Sequence, residues 1–311
     1  MTLLPLGLAV VAAILNASGD LLQRRATRDE PDQATGGARM LLDLARHPAW
    51  LGGVVASLVG LCVHVVALSL GELATVQPLL VLEMPLAVLG MSRLFGVSLS
   101  RRDWVAVGLL TLGLAAFVVF LSPTGGDPTQ VSGVQWAVGL GILAVVGAAA
   151  ALVGLYSGRD LRAGLLGLAA GVGYGAAAVL FSAAGSAASG GITAIATTWQ
   201  TYAAIVVALF SFYLLQNSLN SGLLVATEPG LTLANPIVAV TWGLLLFGEQ
   251  ARTGAWLIGS VAGGVLLVAG TLLLSRSPVL DAHASGDPEE PSSPVRSRGD
   301  ASHDDPARTP R

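Results

Sequence analysis

The chain has 311 residues, 53% of them hydrophobic and only 11% charged, with a net charge of −3 and a mean hydropathy of +0.73. Globular domains carry about 25% charged residues, so a water-coated two-domain protein is excluded. All sixteen basic residues are Arg without a polybasic cluster, which excludes a nucleic-acid surface, and the single Cys excludes a disulfide scaffold and Cys-based zinc sites.

What remains is an all-α, polytopic membrane protein. A spanning helix needs about 20 mostly apolar residues, and nine such runs follow one another: 3–23, 48–70, 74–95, 104–122, 133–156, 161–185, 194–216, 220–247 and 254–275. The first run has no basic n-region, and Asn16, Asp20 and Gln23 stand where a cleavage site would be, so it reads as a retained helix. Between the first two runs, residues 38–46 fit a short amphipathic helix lying on the inner membrane surface. The connections bearing Arg24, Arg25, Arg28, Arg39 and Arg46, then Arg101 and Arg102, then Arg159 and Arg162 alternate with connections that carry no basic residue. By the positive-inside rule the N-terminus is outside and the C-terminal tail cytoplasmic; Arg252 alone disagrees. Residues 276–311 are rich in Pro, Ser, Asp, Glu and Arg and read as a disordered tail. The absence of Lys beside abundant Ala, Gly and Arg points to a GC-rich bacterial genome, and so to the plasma membrane.

Two stretches repeat each other. Ala74-Thr-Val-Gln-Pro78, Pro85, Phe95-Gly96 and Trp104 are matched by Val225-Ala-Thr-Glu-Pro229, Pro236, Phe247-Gly248 and Trp256. Proline is disfavoured inside helices, so Pro78, Pro85, Pro229 and Pro236 at matched spacing mark corresponding helix breaks. The chain divides into a first four-helix repeat (1–122), a bridging helix (133–156) and a second four-helix repeat (161–275). Paired helices lie an odd number of spans apart and cross in opposite directions. Such an inverted 4+1+4 repeat with broken helices is the pattern of secondary transporters, whose substrate sits at the midplane.

The run Thr227-Glu-Pro-Gly-Leu-Thr-Leu-Ala-Asn-Pro236 followed by Leu246-Phe-Gly-Glu249 resembles the second-repeat signature of EamA-type drug/metabolite transporters. The nine-helix arrangement, Asn16-Ala-Ser-Gly-Asp-Leu-Leu-Gln-Arg-Arg25 and Leu215-Gln-Asn-Ser-Leu-Asn220 are similar to the NIPA-type branch, which is associated with magnesium. The chain departs from that branch in the second helix, reading Gly60-Leu-Cys-Val-His64 where the branch carries Gly-Glu. The resemblance implies alternating access with either a small metabolite or drug, exported, or a divalent cation such as magnesium as cargo.

Ionisable groups inside a membrane cost at least about 2.5 kcal/mol each, so each invites a functional reading. Glu83 lies about 13 Å along the third helix at 1.5 Å per residue, and is a candidate for proton coupling or cation binding. Glu228, Thr232 and Asn235 share a face of the eighth helix, where they line a cavity or form an interhelical hydrogen-bond stripe. His64 is deep in the second helix and is a titratable reserve or a packing residue. Asp20 shares a face with Asn16 and Gln23, and either joins the site or pairs with Arg24 or Arg25 at the interface. Trp199, Gln200 and Tyr202 fit an interfacial belt, Cys62 an apolar filler, and Glu72 and Glu249 water-facing helix ends. Neither a nucleotide motif nor a metal or nucleophile motif of an enzyme is present, so no cofactor is expected. The partners are the lipid bilayer and a small-molecule or ion substrate. A homodimer and a non-transporting membrane scaffold stay open as alternatives.

Overall fold

A computed structural model describes residues 3–29, 47–96, 98–221 and 224–277. The segment expected as a surface helix at 38–46, and all but the first two residues of the 276–311 tail, lie outside the described residues. Within them the chain is helical, with one isolated antiparallel bridge and no strand. In chain order the helices are α1 (Leu3–Asp29), α2 (Pro48–Leu70), α3 (Leu73–Leu79), α4 (Glu83–Phe95), α5 (Arg101–Leu121), α6 (Gly133–Leu155), α7 (Arg159–Ser186), α8 (Ile192–Thr197), α9 (Trp199–Ser221), α10 (Leu224–Leu245) and α11 (Ala255–Leu274). Each apolar run of the sequence is largely helical, although the run 194–216 is divided at Thr198 between α8 and α9. Among the described residues eight helical stretches, counting Leu73–Phe95 as one, are long and apolar enough to cross a membrane, against the nine expected; α10, within the expected span 220–247, is not among the eight.

Local sequence accounts for several boundaries. Ser100 and Ser132 start α5 and α6 through reciprocal capping boxes with Asp103 and Gln135. Past residue 23, α1 continues six residues further than expected, to Asp29, through the good helix formers Gln23, Arg24, Arg25 and Ala26. The expected break in the third span is present as a 3-10 turn over Leu80–Leu82. It falls between Pro78 and Pro85: Pro85 has no N–H to offer the Val81 carbonyl, so the turn tightens there.

The second pair of prolines behaves otherwise. Pro229 and Pro236 lie inside α10, which runs unbroken from Leu224 to Leu245, so the expected breaks there are corrected. The reason is tertiary. A row of glycines on α7 admits the α10 backbone: a Cβ at Gly167 would stand 2.5 Å from the Thr227 carbonyl oxygen, one at Gly171 2.7 Å from that of Leu231, and one at Gly175 2.6 Å from the Val238 Cβ. A helix seated in such a trough runs on unbroken because its neighbour supports it even where a proline removes a hydrogen bond.

The helices pack in a recurring order. Helix α1 lies on α2 and α4, and α7 lies on α9 and α10; α5 packs against α11, and α6 leans on α7. The two sets meet where α2 touches α7 and α3 touches α10. At the first of these contacts Ser182 donates to the Leu68 carbonyl at 3.3 Å. Outward-facing positions are apolar, with Leu112, Val145, Val206 and Ile258 all exposed, as expected of a bundle whose solvent is hydrocarbon. Cys62 is exposed rather than a core filler, because the α2 face that packs on α1 is the one bearing Gly53 and Gly60.

Gly171→Val is expected to drive α10 out of its trough and lower the thermal midpoint in detergent, with overpacking costing about 1–3 kcal/mol. Gly141→Val, at a site on α6 with open space around it, is the matched control and should leave the midpoint unchanged.

Candidate functional site

Glu83 opens α4 immediately after the 3-10 turn and is half-buried. Asn16 of α1 donates to its Oε2 at 3.3 Å. Asn16 reaches it because residue 60 of α2 is glycine: a Cβ there would collide with the Asn16 amide oxygen. Asp20, one turn further along α1, is within hydrogen-bonding reach of Glu83, and the Glu228 carboxylate of α10 is close enough to act on it electrostatically. A direct hydrogen bond between the two carboxyl groups requires that one of them hold a proton. On α10, Thr232 donates to Glu228 Oε2 at 3.3 Å, as their spacing on one helix face implied.

A second chain of contacts runs alongside. Gln77 of α3 is buried, its Nε2 donates to Asn235 Oδ1 of α10 at 2.7 Å, and its Oε1 stands 3.0 Å from His64 Nε2. With Gln77 Nε2 committed as a donor, Oε1 is the acceptor and His64 carries its proton on Nε2. His64 Nδ1 is then a buried acceptor with no hydrogen-bond partner among the described residues. All six expected site residues are therefore drawn into two adjoining polar strings. Asp20, Glu83, Glu228 and Thr232 lie on one, His64 and Asn235 on the other. Asn16 and Gln77, which link them, were not among the candidates. Gln77 was visible only as the repeat counterpart of Glu228; a lone amide beside a proline in an apolar helix was the available signal.

The two strings differ in access. Asp20 is exposed, and Asn16, Glu83, Glu228 and Thr232 are half-buried, whereas His64 and Gln77 are buried. Among the described residues no three His, Cys, Asp or Glu side chains stand close enough to hold a metal ion. A separate cleft of about 540 Å³ lies between α6 and the start of α9, lined by Thr129, Trp136, Leu140, Trp199 and Gln200. It contains no carboxylate. Trp136 packs there on Trp199, Trp242 and Phe247 at 5.4–6.0 Å between ring centroids.

Glu249 corrects the expectation of a water-facing helix end. It is 5% exposed and accepts hydrogen bonds from the backbone N–H of Leu73 at 2.6 Å and Ala74 at 3.1 Å. Burial pushes its carboxyl up to about 7, with Glu72 adding to the rise and the two N–H donors opposing it. An acid whose folded value exceeds its unfolded one of about 4.5 gives stability that is full below about pH 4.5 and lost as pH rises through about 7. The thermal midpoint should therefore climb as pH falls from 8 to 5, and Glu249→Gln should flatten that part of the profile in a detergent melting series.

A family model described as a domain of unknown function (DUF8526) matches residues 54–167, from within α2 to the first turns of α7. That stretch holds His64, Gln77 and Glu83 and leaves out Asp20, Glu228 and Asn235. A Corynebacterium glutamicum protein described as uncharacterised is 30% identical over 277 residues, which cover 88% of this chain and 95% of that protein. No solved structure matches.

Proposed function

The chain belongs to the same protein family as its Corynebacterium glutamicum relative, and for it we propose a secondary-active transporter of the drug/metabolite type, working by alternating access. The observation that carries this reading is the meeting of Asp20, Glu83 and Glu228, from α1, α4 and α10, inside an otherwise apolar bundle. Charged groups in that setting are costly and are retained where they bind or move something. The inverted 4+1+4 repeat is part of the proposal. It is supported by the matched proline spacing, and by the way α1 on α2 and α4 is echoed by α7 on α9 and α10. The N-terminus is outside, the tail cytoplasmic and the membrane a bacterial plasma membrane, as the arginine pattern and composition imply.

In this mechanism the Asp20–Glu83 pair holds a proton and releases it when cargo arrives. Glu228 with Thr232, and Asn235 with Gln77, supply acceptors and donors from the other half. A hydrated magnesium ion prefers several carboxylate or water oxygens in near-octahedral array. Helix α2 reads Gly60-Leu-Cys-Val-His64 where the magnesium-associated branch carries Gly-Glu, and this departure favours a small polar organic solute over a divalent cation.

Proteoliposomes loaded with pyranine and held under a pH gradient test this. Magnesium chloride, then a panel of amino acids and organic amines, is added outside, and proton movement is followed. An organic compound should give saturable proton movement, and Glu83→Gln should cut it at least about tenfold, the factor for about 1.4 kcal/mol of site energy. Movement triggered by magnesium alone would turn the cargo reading to the cation. Wild-type proton movement in Glu83→Gln, Asp20→Asn and Glu228→Gln alike would remove these carboxylates from the carrier site, and no movement in wild type with any solute would favour a membrane scaffold.

A further inference from the structure

The first turn of any helix has N–H groups with no intrahelical partner. In α3 the residue placed to cap them, Glu72, makes no side-chain cap. The cap comes instead from Glu249, 176 and 175 positions away from the two residues whose N–H groups it receives, Leu73 and Ala74. A carboxylate at a helix N-terminus is also favoured by the helix dipole.

The site is shaped for this side chain. A Cβ at Gly126 would stand 2.5 Å from Glu249 Cγ, and one at Gly243 2.6 Å from its Oε2. Gly248, at φ +73°, reverses the chain after α10 so that Glu249 points back toward α3. Backbone bonds fasten the same connection to the one after α5: Thr124 and Gln250 exchange hydrogen bonds at 3.2 and 2.9 Å, Asp127 N–H donates to the Phe247 carbonyl at 2.9 Å, and Arg252 N–H to that of Leu121 at 3.1 Å.

We propose that Glu249 is a latch that closes one mouth of the bundle: its carboxylate, carried by the second half, grips the N-terminus of α3 in the first half, and its release opens that mouth. This rests on the carrier reading above, and the arginine pattern puts the latched mouth on the outer side. The opposite mouth lacks the device in sequence, since the repeat counterpart of Phe247-Gly248-Glu249 is Phe95-Gly96-Val97. The site agrees with that asymmetry. Asp20, toward the unlatched end of α1, is exposed, while Gln77, one turn from the latch along α3, is buried. Because α3 carries Gln77 to Asn235, Glu249 is a positioning residue for the polar strings as well as a closure.

Distances between spin labels test the latch. In a Cys62→Ser background, one pair is placed at Leu70→Cys and Leu245→Cys, exposed ends of α2 and α10 at the latched mouth. A second pair is placed at Arg25→Cys and Leu161→Cys, exposed positions at the opposite mouth. In nanodiscs, wild type should give a predominantly short distance for the first pair. Glu249→Ala should raise the ratio of long to short at least about tenfold, as expected for losing two backbone hydrogen bonds to one side chain. The second pair should shorten reciprocally, which local unfolding would not do. Gly243→Ala, whose methyl displaces the carboxylate without removing it, should shift both pairs in the same direction and decides the matter if Glu249→Ala does not fold. Unchanged distributions in the folded variants overturn the latch. Pyranine-loaded proteoliposomes of wild type report separately on the carrier. Transport with unmoved labels sinks the latch alone, and switching labels without transport sinks the carrier alone.

Discussion

The Gln77–Asn235 hydrogen bond is the contact on which the interior depends. In a bundle surrounded by hydrocarbon, a buried amide has no water to fall back on, so its donors and acceptors must be met by other helices. Gln77 meets Asn235 on one side and His64 on the other, and so fixes α3, α10 and α2 relative to one another. The carboxylates of Asp20, Glu83 and Glu228 lie next to that fixed point. Their mutual spacing is inherited from it. Without the amide bridge, the middle of α3 and of α10 would rely more heavily on apolar contact, which lipid tails can replace at little cost.

Small residues do the complementary work. Three glycines one turn apart on α7 bring the α10 backbone close enough to run on unbroken through two prolines. Gly60 does the same on a smaller scale by clearing room for Asn16, which in turn holds Glu83. The stretch Gly60-Leu-Cys-Val-His64 thus contributes at both ends: Gly60 to the carboxylate string, and His64 to the amide string. The residue between them, Cys62, faces away from both.

Much of this was legible in the sequence, for physical reasons. Apolar runs of spanning length must become helices in lipid, so the expected spans are found as helical stretches, the seventh divided at Thr198. Glu83, Glu228 and Asn235 stood out because polar groups are conspicuous against such a background. What could not be read was whatever depended on a distant partner. The prolines of α10 looked like those of the third span, and only the glycine trough of α7 separates the two outcomes. Asp20 reads as an interfacial acid with arginines beside it, and nothing in its local sequence announces that α4 brings Glu83 near it. Glu249 looked solvated because its sequence neighbours are loop residues, while the groups that receive it lie in the other half of the chain.

The crowding around Glu249 carries a consequence for how this family can vary. Gly126 and Gly243 are far from Glu249 and from each other along the chain or across a turn, yet neither can accept a methyl group while that carboxylate occupies the space between them. The three positions therefore form one unit of inheritance. A lineage that shortened residue 249 would free 126 and 243 to drift toward larger side chains. Once either had grown, the acid could not return by a single step.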